Sequence, residues 1–167
     1  MNFIVAVDEN WGIGKNNDLL FSIPEDMKYF KEHTLNKTVV LGDVTLMSLP
    51  HSKPLPKRKS IIMTLDDKFE CEGCIICHSL YELKLALENE NSKDVFVIGG
   101  AAIYTLLEPY CNYAYITKVN ANGKAEKFIP NLDKMENWEC VKTSEVKEHN
   151  GLTFTFNEYK NHDVKSL

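Results

Sequence analysis

Short runs of apolar, largely β-branched residues recur along this chain: FIVAV (3–7), TVVLG (38–42), SIIMT (60–64), CIIC (74–77), VFVIGG (95–100) and NYAYITKV (112–119). Most are apolar at consecutive positions. A strand with one wet face alternates polar and apolar residues, so strands like these must be covered on both faces. Helical patterns fall between them, from about Pro24, over 45–49, over 79–90 and over 101–109. This predicts an α/β fold, a mostly parallel central sheet with helices on both faces. The C-terminal region differs. WECVKTSEVKE, then His149-Asn150-Gly151, then LTFTFNEYK alternates with period two around an Asn-Gly turn, which predicts an antiparallel hairpin. One domain is expected over 1–161, with a loose polar tail at 162–167.

Composition narrows the function. With 167 residues, 44% of them hydrophobic, the chain can bury one sizeable core. Its net charge of −5 and lack of a basic block argue against nucleic acid as a partner. No apolar run reaches the roughly 18–20 residues of a membrane span. The start, MNFIVAVDENWG, lacks a basic segment and reads as a buried strand, not as an export signal. Five cysteines are an odd number, so reduced thiols and a cytoplasmic location are expected. Arg58 is the only arginine among 19 Lys and Arg, so a planar guanidinium is available at one place alone.

The helix beginning IPEDMKYFKEHT carries an anomaly. Ile23, Met27 and Phe30 form its apolar stripe, yet Asp26 lies within that stripe, three residues after Ile23 and four before Phe30. A first-turn acid gains from the helix dipole, and Ser22 with Glu25 offers a capping box, but these devices require only Glu25. An ionised carboxylate turned inward needs a donor or a raised pKa. Asp26 is therefore either a satisfied core residue or the group that orients a polar ligand edge in an apolar slot.

In open α/β sheets, ligands sit beyond the carboxyl ends of strands. Three glycine-bearing ends stand out here: Gly12-Ile13-Gly14, Gly42 and Gly99-Gly100. Each is compatible with a tight turn or with close approach of backbone to a ligand. None has the spacing of a dinucleotide fingerprint or a P-loop.

Taken in order, AVDENWGIGKNNDLLFSIPEDMKYFKEHT (6–34), VVLG (39–42), PLPKRKSIIMT (54–64), VFVIGGAAIY (95–104), YIT (115–117) and AEKFIP (125–130) resemble dihydrofolate reductases of the single-domain bacterial type. The resemblance implies reduction of 7,8-dihydrofolate to tetrahydrofolate by hydride from NADPH, in one-carbon metabolism, by an antifolate-binding monomer. It implies that Asp26 is the active-site acid that holds the pterin and supports protonation at N5. Thr117, which supports its hydrogen-bond network, and Phe21 are the other catalytic residues it implies. Ile4, Val5, Ala6, Leu20, Met27, Phe30, Leu49 and Ile98 match the pocket wall. Arg58 matches the residue that grips the α-carboxylate of the substrate tail, a task for a fork rather than an ammonium.

For the cofactor, the resemblance implies a loop from Trp11 to Leu19 closing over the nicotinamide, with Ile13, Gly14, Asn17, Asp18 and Leu19 in contact. Ala6, Ile98, Gly99 and Gly100 lie beside the nicotinamide, the paired glycines typically joined by a cis peptide. Gly42, Asp43, Val44, Thr45 and Leu46 form one phosphate turn; Ala101, Ala102, Ile103 and Tyr104 form another. Met63, Thr64, Leu65 and His78 match the adenosine end. No metal is implied.

The chain departs from the family in places. It reads Gly42-Asp43-Val44-Thr45 where Gly-Arg-x-Thr is common, Ala102 where some members have a second Arg, and Leu65-Asp66 where small polar residues meet the 2′-phosphate. Acids beside a ribose favour NADH and cations favour NADPH. NADH use is thus possible given Asp43 and Asp66, unless Lys37, Lys59 or His78 offsets them or Asp43 turns to solvent. Phe21 replaces an indole and loses its N–H.

Two rival readings remain. A reductase of another pteridine or a flavin precursor would need no carboxylate clamp, which Arg58 argues against. Cys71-x-x-Cys74-x-x-Cys77-His78 contains a haem-attachment string, Cys74-Ile75-Ile76-Cys77-His78, which would suit a haem- or metal-binding electron carrier. The opposing reading is that these are small apolar residues in and beside a buried strand, where at most one of Cys74 and Cys77 is fully inward. Trp138 is expected in the core, and His33 and His51 in solvent.

Overall fold

A computed structural model describes residues 1–167. The chain runs β1 (Asn2–Val7), β2 (Gly12–Lys15), β3 (Asp18–Leu19), α1 (Pro24–Thr34), β4 (Thr38–Gly42), α2 (Asp43–Ser48), β5 (Lys59–Met63) and β6 (Ile75–Cys77). It continues with α3 (Leu80–Leu87), β7 (Val95–Gly99), α4 (Ala101–Leu107), β8 (Tyr113–Val119), β9 (Lys127–Phe128), β10 (Trp138–Thr143), β11 (Lys147–His149) and β12 (Leu152–Asn161).

The main sheet is ordered β10-β12-β8-β1-β7-β4-β5-β6, with β11 pairing β12 as well. From β8 to β6 every neighbouring pair is parallel, and β12, β10 and β11 are antiparallel. After β4 the chain steps outward to β5 and β6, then returns to insert β7 between β4 and β1. The carboxyl ends of β1, β7 and β4 thus border the reversal of winding, where open α/β sheets place ligands. Consecutive apolar residues do face opposite layers. Val40, Ile61 and Val97 enter the larger core, whereas Val39, Leu41, Ile62 and Leu46 form a second cluster.

Several expectations need correction. The capping box does not form: Ile23, not Ser22, is the N-cap of α1, and no side chain bonds there. Ser22 sits one position too early, and Glu25 pairs instead with Lys147 at 3.1 Å. The tail is tied down, with Lys165 N–H donating to Pro109 O at 2.9 Å and Leu167 packed on the core. His33 is not solvated; it stacks among Tyr29, Tyr115 and Phe96. Trp138 is buried, donating from Nε1 to Glu108 Oε2 at 3.2 Å.

The cysteines depart furthest from a reduced set. Cys71 and Cys74 are joined as a disulfide, leaving Cys77, Cys111 and Cys140 free. Gly73, at φ +79°, turns the chain back on itself, and Cys74 N–H donates to Cys71 O at 3.3 Å. Such a turn brings two side chains three residues apart together.

Candidate active site

Asp26 lies on α1 and Thr117 on β8, where Thr117 stands beside Ala6 of β1 in the parallel register. Thr117 Oγ1 donates to Asp26 Oδ1 at 2.6 Å. Burial raises the Asp26 pKa above its ordinary value, and the Thr117 bond, which favours the ionised form, opposes that rise. Its carboxyl group therefore has one neutral donor and no cationic partner.

The apolar stripe around Asp26 does not close onto the core. Ile23 is buried, but Met27 is 58% exposed and Phe30 is half-buried. Leu49 and Ile98, also half-buried, pack from the far side against the Leu41–Leu46–Ile62 cluster. Ile4 is buried, while Val5 and Ala6 are partly open. A carboxyl group in a partly open apolar wall is the arrangement that orients a flat polar heterocycle. Leu20 and Phe21 lie over Gly123, where a Cβ would meet Leu20 at 2.9 Å and Phe21 at 3.2 Å. Phe21 packs on the Ile23–Val119–Phe154 cluster and makes no polar contact with Asp26.

Arg58 precedes β5. Its Nε and Nη2 both donate to Thr34 Oγ1 at 3.2 Å and Nη1 donates to Pro56 O at 2.8 Å. Thr34, fully buried at the end of α1, in turn donates to Phe30 O at 2.9 Å. The helix that carries Asp26 therefore also fixes the guanidinium. Beside Arg58 lies a recess of about 500 Å³ that no hydrophobic residue lines, bordered by Lys37, Lys57, Lys59 and Glu90.

On the other side of the winding reversal, Gly99 and Gly100 are joined by a cis peptide. Thr45 Oγ1 lies where it would meet a Cβ on Gly99 at 3.4 Å or on Gly100 at 3.1 Å, and Ile103 closes on Gly42 in the same way at 3.0 Å. These glycines form a backbone cradle: a Cβ on Gly42 or Gly100 would press on Ile103 or Thr45, and Gly99, at φ +136°, holds a conformation that other residues rarely adopt. Ala101 and Ala102 open α4, whereas Tyr104 is buried and donates to Ile4 O at 2.8 Å. Leu46 is likewise buried in the second cluster, and the Tyr104 ring lies 3.7 Å from where a Cβ on Gly99 would stand.

The segment 12–19 turns at Asn16 and Asn17, both of positive φ, and its strands join β9 in a small sheet, β3-β2-β9. Ile13 and Gly14 are half-buried; Asn17, Asp18 and Leu19 are exposed. Two acids hold it, and sequence reasoning missed both. Glu126 accepts from Asn16 N–H at 2.8 Å, and its own N–H donates to Gly14 O. Asp8, 3% exposed, accepts from Asn10, Gly12 and Gly123 N–H at 2.9, 2.8 and 3.0 Å. An acid four residues before a glycine in a loop was the available signal for Asp8.

Comparison with known proteins settles the family. The sequence model described as Dihydrofolate reductase matches residues 1–161. The chain belongs to the dihydrofolate reductase family. A Bacillus subtilis (strain 168) dihydrofolate reductase is 34% identical over 162 residues, 96% of this chain and 94% of that one. One from Neisseria gonorrhoeae is 33% identical over 159 residues, 95% and 96% of the two chains. Among solved structures, "Dihydrofolate reductase from Enterococcus faecalis complexed with NADP(H) and RAB-propyl" has a TM-score of 0.83 at 32% identity, covering 97% of this chain and 96% of that one.

The reductase therefore catalyses dihydrofolate reduction, and the electron-carrier reading of the cysteines falls away. Cys77 lies in the core on β6, Cys71 is bonded to Cys74, and no three His, Cys, Asp or Glu side chains are grouped to hold a metal.

Proposed function

We propose that this chain reduces 7,8-dihydrofolate to 5,6,7,8-tetrahydrofolate with Asp26, Thr117 and Arg58 as its central residues, residues 1–161 forming the reductase domain and 162–167 its tail. The observation that carries the assignment is the lone half-buried carboxyl on an apolar wall, fixed by Thr117 and borne on the helix that also fixes the only arginine. Asp26 binds the ring N–H and 2-amino edge of the pterin and supports protonation at N5. Thr117 aims the carboxyl, and Ile4, Val5, Ala6, Leu20, Met27, Phe30, Leu49 and Ile98 wall the ring. Arg58, its fork held by Thr34, takes the α-carboxylate of the glutamate tail with the directional bonds that an ammonium lacks.

The glycine cradle fits a dinucleotide: Gly99 and Gly100 pack against Thr45, and Gly42 against Ile103, so closely that bare backbone is what this edge presents to a ligand. When bound, NADPH supplies the hydride. The chain's own part is to hold two rings face to face, keep water out with the segment pinned by Asp8 and Glu126, and hold a proton near N5. No helix is long and apolar enough to cross a membrane. We place the enzyme in the cytoplasm, acting as a monomer and open to antifolate inhibitors at the Asp26 wall.

Oxidation of NADPH followed at 340 nm with dihydrofolate tests this directly. Turnover that depends on both reactants, and that falls by about 10²–10⁴ in Asp26→Asn, supports the reading. No turnover with folded protein would end it.

A further inference from the structure

Asp43 follows β4 and Thr64 follows β5, and the two strands are parallel neighbours in register, Gly42 beside Met63. Their next residues therefore meet at the carboxyl edge. Thr64 Oγ1 donates to Asp43 Oδ2 at 2.7 Å, and Asp43 Oδ1 accepts from Val44 N–H at 2.7 Å. Asp43 is half-buried and fixed on both oxygens rather than turned to solvent. Thr64 Oγ1 also accepts from Asp66 N–H at 3.1 Å, while the exposed Asp66 carboxylate accepts from Lys68 N–H at 3.0 Å.

No cation balances this corner. Neither Asp43 nor Asp66 takes part in any of the ion pairs. Lys37 and Lys59 cannot offset them, because each lies near the amino ends of β4 and β5 and is engaged there, with Asp94 at 2.7 Å and Glu90 at 2.6 Å. His78 is present at the correct edge, with Nδ1 3.0 Å from Thr64 O. Leu65, 95% exposed, adds no donor, and Ala102 adds none across the cleft.

A carboxylate is an acceptor alone. It suits the two hydroxyls of an unmodified ribose and repels a 2′-phosphate, which carries between one and two negative charges at neutral pH. The dinucleotide cradle fits, whereas the corner beside it does not fit a phosphate. We propose that Asp43 sets cofactor specificity and that this reductase binds and uses NADH comparably to NADPH. The inference rests on the dinucleotide reading of the Gly42–Gly99–Gly100 cradle.

Direct titration of the folate-free protein with each cofactor, followed by tryptophan fluorescence or calorimetry, tests it without relying on turnover. The expected ratio of NADH to NADPH dissociation constants is within about tenfold, a difference of ~1.4 kcal/mol. In Asp43→Arg the ratio should move toward NADPH by about tenfold or more, with Asp43→Asn between. Raising salt should narrow any deficit of NADPH in the wild type, since screening weakens like-charge repulsion. NADPH preferred by more than about a hundredfold in the wild type, or a ratio unmoved in Asp43→Arg, would overturn the proposal while leaving the reductase intact. Binding of neither cofactor would overturn the cradle reading and this inference with it.

Discussion

Thr117 Oγ1 and Asp26 Oδ1 are 2.6 Å apart, joining β8 to α1 across the apolar wall of the site. No charge pairs with this carboxyl, so its protonation is governed by burial against a single neutral bond. Replacing Asp26 by Asn removes the titrating group but keeps the shape. The expected result is a fall in kcat of about 10²–10⁴, the usual worth of a positioned acid or base. Stability should not fall. Because the folded pKa of Asp26 is raised, its destabilising effect is absent below the ordinary 3.8 and grows as pH rises through the folded value. At neutral pH the Asn variant should melt at the wild-type temperature or above it, which calorimetry will show.

Thr117→Val tests the bond itself. The hydroxyl favours the ionised carboxylate, so its loss should raise the Asp26 pKa further. The rate, which depends on a proton held near N5, declines as pH rises through that pKa. The alkaline limb of the pH–kcat profile should therefore move to higher pH in the variant, while the maximum falls through poorer aim. A limb that stays put or moves down would contradict the arrangement.

Arg58→Lys keeps the charge and loses the fork. The proposed clamp contacts substrate far from the reacting atoms, so its loss weakens ground and transition states alike. KM for dihydrofolate should rise about 10- to 100-fold, matching the ~1.5–3 kcal/mol of a charge-assisted bond, with kcat within about twofold. Thr34→Val should show the same split more weakly, because it frees the guanidinium without removing it.

Much of this was legible in the sequence. Strands apolar on both faces, such as Val39–Leu41, announce a sheet covered on both sides, and Asn150-Gly151 marks the hairpin turn. Asp26 is visible because a carboxylate breaks a 3.6-residue pattern. What stayed hidden depends on partners distant in sequence. Asp8 reads as an ordinary loop acid until Gly123 N–H is seen to reach it across 115 positions. Thr34 looks like a helix end until Arg58 folds onto it. His33 is polar by type yet packed by three aromatic rings that come from separate elements. Ser22 fails as a cap because one residue of phase decides which side chain faces the open N–H groups.

Asp8→Asn should loosen one attachment of the active-site segment selectively. An amide keeps one acceptor oxygen, enough for Asn10 and Gly12, but turns an NH₂ toward Gly123 N–H, donor against donor. The expected cost is about 1–3 kcal/mol, the penalty of a buried unpaired donor. Hydrogen exchange should quicken at Gly123 and across 12–19 while β1 and β8 stay protected. Uniform quickening throughout the sheet would mean that Asp8 stabilises the whole fold rather than tying these two loops.

Thiol counting tests the cysteine arrangement. Cys71 and Cys74 are paired, Cys77 and Cys111 are buried, and Cys140 is exposed. Burial pushes the Cys77 thiol up and holds Cys111 at about 12, so neither offers thiolate at neutral pH. Alkylation of the native, unreduced protein should therefore label Cys140 alone. Mild reduction should add Cys71 and Cys74, whose turn is partly open to solvent. Denaturation with reductant should expose Cys77 and Cys111 last. Mass spectrometry reads each stage, and labelling of Cys71 and Cys74 before reduction would show the pair to be an open dithiol in solution.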